Sequence, residues 1–475
     1  MKKSQKNLKI YLEKTFNLIL NKNQFQEIDR LIFEIMQRDS AEKEEIINNL
    51  IKKDLFEKIK KSSAKNKFSL IKNLLIEMRF PLTAGQYPIK TQDVFLSKLN
   101  PPLEIPPKKN ISSALFTPEK IFVEKKVKNS YLSEKFKSKF PRIKIQEISY
   151  AFEYIKKNKF NLKDLKKPYV FIVREQRDFI KPCPCTKNHL GCGYWIFNLG
   201  FGCPYDCAYC FLQQYANFPG IMLPANFDDF FADFDNFYKK INRPIRIGTG
   251  EFCDSLALDD ITEYSSLLID FFREKNVLFE LKTKSNNIAN ILKSKPAKNI
   301  IISFSVNPQS LIDSQEFFTA TLQQRIQAAK AIQEKSFSLA FHFDPIIYTK
   351  NWQSLYQEVI DELYKNLKTP FMWISLGTLR GTRTLKNVSE VRFPEKNIFY
   401  GELFLGPDKK LRYPKFLRKE IYKFINSSIR KYDQKTPVYL CMEDQDCWSA
   451  LESKSFDTAK IEDYLINPKK PLEFK

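Results

Sequence analysis

The second half of the chain alternates short runs of β-forming residues with helical stretches. Strands are predicted at "IRIGTGE", "LFELKTKS", "NIIISFSVNP", "SLAFHFDPII" and "FMWISLGTLR", and segments such as "ITEYSSLLIDFFREK" and "TLQQRIQAAKAIQEK" between them are predicted helices. This order predicts a parallel sheet with crossover helices. Five or six such units predict an α/β fold, a complete or partial (β/α) barrel. The chemistry of such barrels lies at the C-terminal ends of the strands.

Other parts of the sequence differ in their apolar spacing and proline content, which predicts further segments. "FQEIDRLIFEIMQR" repeats apolar residues at helical spacing, whereas the prolines of "NPPLEIPPKKN" exclude both a helix and a central strand. We predict five segments: a helical N-terminal region (1–99), a Pro-rich linker (100–118), a small α/β subdomain (119–182), the barrel (183–400), and a C-terminal basic hairpin and helix (401–475).

Three cysteines lie close together just before the regular alternation begins. Cys203, Cys207 and Cys210 are spaced C-x3-C-x2-C. In a reducing cytoplasm such clusters bind metal more often than they form disulfides. Structural zinc needs four ligands and a 4Fe-4S cluster normally takes four cysteines, so three cysteines leave one iron open. An open iron is what S-adenosylmethionine needs to bind and be cleaved to a radical; a structural zinc site is the alternative.

Several blocks in fixed order resemble the spore photoproduct lyase family of radical S-adenosylmethionine enzymes. They are "GCPYDCAYCFLQ", "FELKTKS", "FSVNP", "RIQAA", "FDPIIY" and "YLCME", and the resemblance covers roughly residues 119–450. The resemblance implies a partial barrel of the radical S-adenosylmethionine type, one 4Fe-4S cluster, S-adenosylmethionine, and an electron donor such as flavodoxin or ferredoxin. It also implies repair of crosslinked thymines in DNA by a 5′-deoxyadenosyl radical.

The resemblance also implies catalytic residues. Cys253, in "GTGEFCDSLALDD", falls where the family has its hydrogen-donating cysteine, although the surrounding block departs from the family. A small residue packed at a strand end is the alternative interpretation. The family relays hydrogen through two tyrosines flanking the last cluster cysteine. Tyr209 is present, but Phe211 stands at the second place and has no O–H.

Polar residues at successive strand ends are candidates for binding S-adenosylmethionine. Glu251 is suited to accept from its ammonium group, and Lys284 matches the family lysine that pairs with its carboxylate. Ser305 and Asn307 suit hydroxyl and amide groups of the ligand, and Ser255 keeps a family serine. Each of them alone is also explained as a polar cap. His342 has no firm role.

A second group of cysteines precedes the motif in "KPCPCTKNHLGCGYW". Cys183, Cys185 and Cys192 match neither a zinc pair nor the radical motif. Free thiols are the preferred interpretation, and a second metal or cluster, with help from His189, and support of the active site are the alternatives. Cys441 and Cys447 are expected to be buried thiols.

The formal net charge of +23 favours a polyanionic partner, although Lys-rich usage also reflects genomic base composition. The stretch "GPDKKLRYPKFLRKEIYKFI" aligns with the family hairpin that inserts at the lesion, which has to be flipped or bent out of the duplex. A solvated basic helix is the alternative. The predicted nucleic-acid contacts are Lys409, Lys410, Arg412, Tyr413 and Lys415.

The sequence also predicts where the protein is located and which functions compete as explanations. The apolar runs are too short to span a membrane, and the N-terminus favours an amphipathic helix over a signal peptide, so we expect a cytoplasmic protein. We predict a radical lyase repairing UV-crosslinked thymine in DNA. The alternatives are a radical enzyme acting on RNA or a peptide, favoured by Phe211, and a non-catalytic zinc-containing nucleic-acid-binding protein.

Overall fold

The structure is a computed structural model that describes residues 3–97, 116–176, 179–186, 189–215, 219–394, 397–451 and 457–467. It divides into two compact units, the first formed by Met1–Pro107 with Arg380–Pro414 and the second by Lys108–Leu379 with Lys415–Lys475. Residues 100–115 of the predicted linker lie outside the described residues. No helix in the described ranges is both long enough and apolar enough to cross a membrane.

The helices of the described residues follow the amphipathic segments of the sequence. They are α1 (Lys3–Phe16), α2 (Lys22–Asp39), α3 (Lys43–Leu50), α4 (Lys53–Lys60), α5 (Ala64–Arg79), α6 (Pro81–Ala84), α7 (Tyr131–Lys139), α8 (Ala151–Asn158), α9 (Phe227–Ile241), α10 (Asp259–Thr262), α11 (Tyr264–Phe272), α12 (Ala289–Lys293), α13 (Gln309–Gln315), α14 (Leu322–Glu334), α15 (Trp352–Asn366), α16 (Arg383–Arg392), α17 (Lys415–Tyr432), α18 (Gln445–Trp448) and α19 (Thr458–Ile466).

The strands are short, and most of them are buried. They are β1 (Lys120–Glu124), β2 (Ile145–Ile148), β3 (Tyr169–Val173), β4 (Ile180–Pro182), β5 (Tyr194–Phe197), β6 (Asp206–Cys207), β7 (Ile221–Pro224), β8 (Arg246–Thr249), β9 (Leu278–Thr283), β10 (Ile300–Ser305), β11 (Glu316–Phe317), β12 (Ser338–Ile346), β13 (Ile374–Thr378), β14 (Arg380–Gly381), β15 (Phe404–Leu405), β16 (Leu411–Arg412) and β17 (Val438–Leu440).

The first unit combines the N-terminal helices with α16 and the small sheet β14–β16–β15. A buried carboxylate holds these parts together: Glu34 of α2 accepts from Arg30 at 2.8 Å, Arg79 at 2.8 Å and Lys386 at 2.7 Å. Breaking a buried ion pair costs about 3–5 kcal/mol, because it leaves one charge without a partner. Residues 380–414 therefore group with the N-terminal helices, whereas the predicted segments divide them between the barrel and the C-terminal region.

The second unit contains the predicted barrel sheet. Its eight strands lie in the order β17-β13-β12-β10-β9-β8-β5-β4, and every neighbouring pair is parallel except β4 with β5. The sheet is curled into a half-barrel, which confirms the predicted α/β partial-barrel class with a helical N-terminal region. Because the strands are parallel, their C-terminal ends meet at one edge, where the candidate site lies.

A smaller parallel sheet, β2-β1-β3-β7, completes the second unit. The cysteine loop leaves the large sheet after β5 and enters the small sheet at β7, which pairs with β3 in parallel. Two glycines bring the loop against β7: a Cβ on Gly200 would lie 2.2 Å from the carbonyl oxygen of Met222, and one on Gly202 would lie 2.4 Å from that of Gly220. Both have positive φ, which glycine adopts at little cost.

Candidate active site

The cysteine loop is fixed at the C-terminal edge of the half-barrel. Cys207 lies in β6, which pairs in antiparallel fashion with β11, with Cys207 opposite Glu316. Gln213 donates to the carbonyl oxygens of Cys207 at 2.9 Å and Ala208 at 3.0 Å. Lys166 donates to the carbonyl oxygen of Cys203 at 3.1 Å. The loop that carries the three thiols is therefore held from several sides.

The electrostatic surroundings of the three thiols suit metal ligation. Burial raises the pKa of Cys203, Cys207 and Cys210. Lys166 and Lys284 act in the opposite direction on Cys210, because their positive charges favour its thiolate. A metal binds thiolates rather than thiols, so cations beside a buried thiol group support ligation. Three such thiols on one loop fit the ligand set of an iron–sulfur cluster with one open iron.

Tyr209 is anchored to a buried carboxylate. Its hydroxyl group donates to Glu316, which also accepts from Arg325 at 2.7 Å and from Asn307 at 2.8 Å. Tyr356 in turn donates to the side-chain oxygen of Asn307 at 2.9 Å. The side chains of Glu316 and Arg325 are 0% exposed. The network joins the cysteine loop to the end of β10 through Asn307.

Electrostatics keep the carboxyl group of Glu316 ionised and the hydroxyl group of Tyr209 protonated. Burial would raise the pKa of Glu316, but Arg325 and Lys284 outweigh it and lower the pKa to about 2. Burial and the neighbouring Glu316 carboxylate raise the pKa of Tyr209 well above its ordinary value. Tyr209 therefore keeps its O–H at any physiological pH.

The strand ends after β8 and β9 carry charges of both signs. Lys282 forms an ion pair with Glu251 at 3.2 Å, and Lys284 places its ammonium group 5.9 Å from the ring centroid of Tyr209. Asp254 accepts from the backbone N–H of Lys284 at 2.7 Å and from the Thr283 hydroxyl group at 2.7 Å. Two carboxylates and two ammonium groups thus lie at adjacent strand ends, which suits the zwitterionic end of S-adenosylmethionine.

The block around Cys253 lies against the cysteine loop. Gly202 donates its backbone N–H to the carbonyl oxygen of Phe252 at 2.9 Å. Phe211 packs edge-on against Phe252, with ring centroids 6.0 Å apart. Cys253 is half-buried, and burial together with Asp254 raises its pKa to about 12. The thiol therefore remains protonated near neutral pH.

The two serines among the predicted ligand residues are both buried. The hydroxyl groups of Ser255 and Thr249 lie 2.5 Å apart, which fixes the turn after β8. Ser305 is the last residue of β10, its carbonyl oxygen accepts from Arg325 at 2.8 Å, and it lies opposite His342 in the parallel register. His342 and Glu280 lie 2.7 Å apart within the barrel.

The predicted nucleic-acid residues separate into exposed and buried groups. Within the first unit, Lys409 is exposed and Lys410 half-buried, whereas Tyr413 is 1% exposed. The guanidinium group of Arg412 is buried and paired with Asp408 at 2.7 Å. In the second unit, Lys415 is exposed and forms ion pairs with two aspartates, Asp444 and Asp446. Lys409 and Lys410 at the turn of the hairpin are therefore accessible to solvent. Arg412 and Tyr413 are buried and stabilise the hairpin.

Four residues of the site were not among those predicted from the sequence. Glu316, Arg325 and Tyr356 form the network under Tyr209, and Lys282 pairs with Glu251. Arg325 and Lys282 do lie inside the quoted blocks "RIQAA" and "FELKTKS". Their proximity to the cysteine loop depends on strand order, which the sequence pattern alone does not define.

Known proteins resemble this chain in sequence and in fold. The family model described as spore photoproduct lyase matches residues 116–445. The spore photoproduct lyase of Clostridium acetobutylicum is 24% identical over 283 residues, 56% of this chain and 80% of that protein. That of Bacillus subtilis is 23% identical over 362 residues, 73% of this chain and 98% of that protein.

A solved spore photoproduct lyase variant with bound AdoMet and dinucleoside spore photoproduct has the same fold. It superimposes with a TM-score of 0.59 at 20% identity and covers 69% of this chain and 100% of that chain. The curled sheet, the three-cysteine loop at its C-terminal edge and the match to the family model together identify a radical S-adenosylmethionine enzyme, which decides against the non-catalytic alternative. The family match covers well over half of the sequence, and the chain belongs to the spore photoproduct lyase family.

Proposed function

We propose that this enzyme repairs a thymine photoproduct in DNA by radical fragmentation of the crosslink. The observation that carries the proposal is the hydrogen bond from Gly202 to Phe252, which holds the cluster loop against the block containing Cys253. A radical generator on that loop and a hydrogen donor at Cys253 would then be adjacent, as completion of crosslink fragmentation requires. The relatives are named as spore photoproduct lyases, and a solved one holds a dinucleoside photoproduct.

The ligand set supports one 4Fe-4S cluster, held by Cys203, Cys207 and Cys210. With S-adenosylmethionine bound, the cluster supplies a 5′-deoxyadenosyl radical. Glu251 and Lys282, together with Lys284, would bind the ammonium and carboxylate groups of the cofactor through charge-assisted hydrogen bonds. The cluster has to be reduced from outside, so we infer an electron donor of the flavodoxin or ferredoxin class and a reducing, cytoplasmic setting.

The chain's own residues would complete the reaction. Cys253 gives its S–H hydrogen to the carbon radical of the fragmented product, forming a C–H bond and leaving a thiyl radical. Its raised pKa supports this role, because the thiol keeps that hydrogen at neutral pH. Tyr209 also keeps its O–H and is the candidate to return a hydrogen atom to the thiyl radical, which would re-form the S–H bond and leave a phenoxyl radical on Tyr209. Lys409 and Lys410 would contact phosphates of the DNA.

Phe211 supports a second candidate function. It packs against Phe252 where the family has its second relay tyrosine, and a phenyl ring has no O–H to exchange. A radical enzyme with a different acceptor, such as a base in RNA or a peptide, would not need the full relay. The experiment that separates the two is incubation of the reduced, reconstituted enzyme and S-adenosylmethionine with irradiated DNA, followed by nucleoside analysis.

A further inference from the structure

The first unit contains an open cavity of about 580 Å³ beside its N-terminal helices. Its walls come from α2, α5 and residues 91–97, with one residue each from the start of α16 and from β15. The family model matches from residue 116 onward, so α2, α5 and residues 91–97 lie outside the region that resembles spore photoproduct lyases. Ligand sites commonly measure about 300–1,000 Å³, and this cavity is therefore large enough for a nucleotide.

The charged residues in the cavity wall leave a positive excess. Lys22 and Arg383 are exposed, and neither forms an ion pair within the part of the chain that the structure describes. The carboxylate of Glu27 is paired with Lys72 at 2.7 Å. Arg30 is buried, and its charge is compensated by two buried glutamates. Lys22 and Arg383 therefore give the cavity a net positive charge, which favours an anionic ligand.

Arg383 is stacked on an aromatic ring of the same wall. Its guanidinium carbon lies 5.4 Å from the centroid of the Phe95 ring. The segment that carries Phe95 is itself fixed to α16, because the Ser97 hydroxyl group donates to the side-chain oxygen of Asn387 at 2.5 Å. A guanidinium group stacked on a ring keeps N–H donors at its edge, and these match the oxygens of a phosphate. The cavity thus combines cations with an aromatic side chain, as surfaces that bind single-stranded nucleic acid do.

The cavity is continuous with the hairpin that carries the turn lysines. Leu405 of β15 lies in the cavity wall, and the turn that follows it is closed by the bond from the Gly406 N–H to the Lys410 carbonyl oxygen at 2.8 Å. Lys409 follows Leu405 by four residues, which span at most about 14 Å. One DNA strand rises about 3.4 Å per nucleotide, so this distance corresponds to about four nucleotides. A strand that contacts the turn lysines therefore passes within reach of the cavity.

We propose that this cavity is a second nucleic-acid site, in which Lys22 and Arg383 bind the phosphates of a single DNA strand. The choice of DNA as the polyanion rests on the proposed function. A free nucleotide offers the same phosphate chemistry, but the continuity of the cavity with the hairpin turn favours a strand. The N-terminal helices would thus add contacts to DNA beside the damaged site, outside the part of the chain that matches the family.

The salt dependence of binding to an undamaged single-stranded oligonucleotide tests this proposal with the full chain. Each phosphate contact contributes roughly 0.7 to the log–log slope for single strands, so Lys22→Gln with Arg383→Gln should lower the slope by roughly 1.4 and weaken binding. Both side chains are exposed, so the variant should fold. Lys58→Gln with Lys61→Gln is the matched control, because it removes two exposed charges of the same unit that do not line the cavity. The control should keep the wild-type slope.

Photo-crosslinking of the unsubstituted chain provides a second measurement that does not depend on the variants. An oligonucleotide with a photoreactive thymine analogue should crosslink to residues 91–97 or to the start of α2. Because binding of undamaged DNA needs no turnover, a failure of photoproduct repair would leave both measurements valid. The proposal is overturned if the cavity variant keeps the wild-type slope, if the control lowers the slope equally, or if crosslinks lie only outside the first unit. Displacement of the oligonucleotide by thymidine monophosphate at equal phosphate concentration would assign the cavity to free nucleotides and also overturn it.

Discussion

The backbone N–H of Gly202 donates to the carbonyl oxygen of Phe252 across 2.9 Å, so the residues preceding Cys203 and Cys253 are bonded to each other. The φ of Gly202 is +97°, and a Cβ there would lie 2.4 Å from the carbonyl oxygen of Gly220. This position accepts only glycine without displacing the loop. One bond therefore links cluster ligation to the placement of the candidate hydrogen donor.

Replacing Gly202 tests this link. Gly202→Ala should displace the loop, because the left-handed conformation costs a non-glycine residue about 1–2 kcal/mol and the new methyl group meets backbone. We expect less iron after reconstitution and slower formation of 5′-deoxyadenosine. Gly401→Ala is the control, since φ there is −72° and the nearest atom to the new Cβ is at 3.5 Å. Equal iron in wild type and Gly202→Ala would show that the loop tolerates the change.

Cys253 should control how the reaction ends rather than how it begins. Cys253→Ala should still consume S-adenosylmethionine but give aberrant adducts in place of clean product, because the product radical loses its S–H donor. Phe211→Tyr should preserve turnover and raise the number of turnovers per cofactor. Nucleoside analysis by mass spectrometry measures both. If Cys253→Ala gives the same product at the same rate, another group is the donor.

The protonation of Cys253 leads to a prediction about pH. Its pKa is raised to about 12, so the S–H form persists below that value and is lost only as pH rises through it. An ordinary cysteine, with a pKa of about 8.5, would be half-ionised in mildly alkaline buffer. The ratio of clean product to adducts should therefore stay constant between about pH 7 and 10. A rise in adducts centred near pH 8.5 would contradict the raised pKa.

Glu316 should matter for stability as well as for the position of Tyr209. Glu316→Gln leaves the buried guanidinium of Arg325 without its carboxylate, which costs about 3–5 kcal/mol. The folded-state pKa of Glu316 is lowered from 4.5 to about 2, so its contribution is complete above pH 4.5 and is lost as pH falls toward 2. Denaturant unfolding at pH 7 and pH 3 measures both effects. Glu420→Gln, on the exposed face of α17, should change neither.

The hairpin residues should separate into two functional groups. Lys409→Ala with Lys410→Ala should weaken DNA binding and reduce its salt dependence, because each lost phosphate contact lowers the log–log slope by roughly 0.9. Arg412→Ala should mainly lower stability, since Arg412 is buried against Asp408. Affinity measured across a salt series, together with thermal unfolding, distinguishes the two. An unchanged slope in the double variant would place the DNA contacts elsewhere.

The sequence predicted the parts of the fold that depend on local patterns. The alternation of strands and helices predicted the partial barrel, and the spacing of Cys203, Cys207 and Cys210 predicted the cluster loop. It did not predict that residues 380–414 belong with the N-terminal helices, because that depends on Lys386 meeting Glu34. The burial of Arg412 beside Asp408 also requires the tertiary structure.

The most direct test of the account is a product analysis on damaged DNA. Protein reconstituted with iron and sulfide is incubated anaerobically with reductant, S-adenosylmethionine and irradiated DNA, and the nucleosides are then separated. We expect photoproduct to disappear and thymidine to appear together with 5′-deoxyadenosine. None of these changes should occur when Cys203, Cys207 or Cys210 is replaced by alanine. Formation of 5′-deoxyadenosine without loss of photoproduct would contradict DNA repair, and full activity in any of the three alanine variants would contradict the cluster.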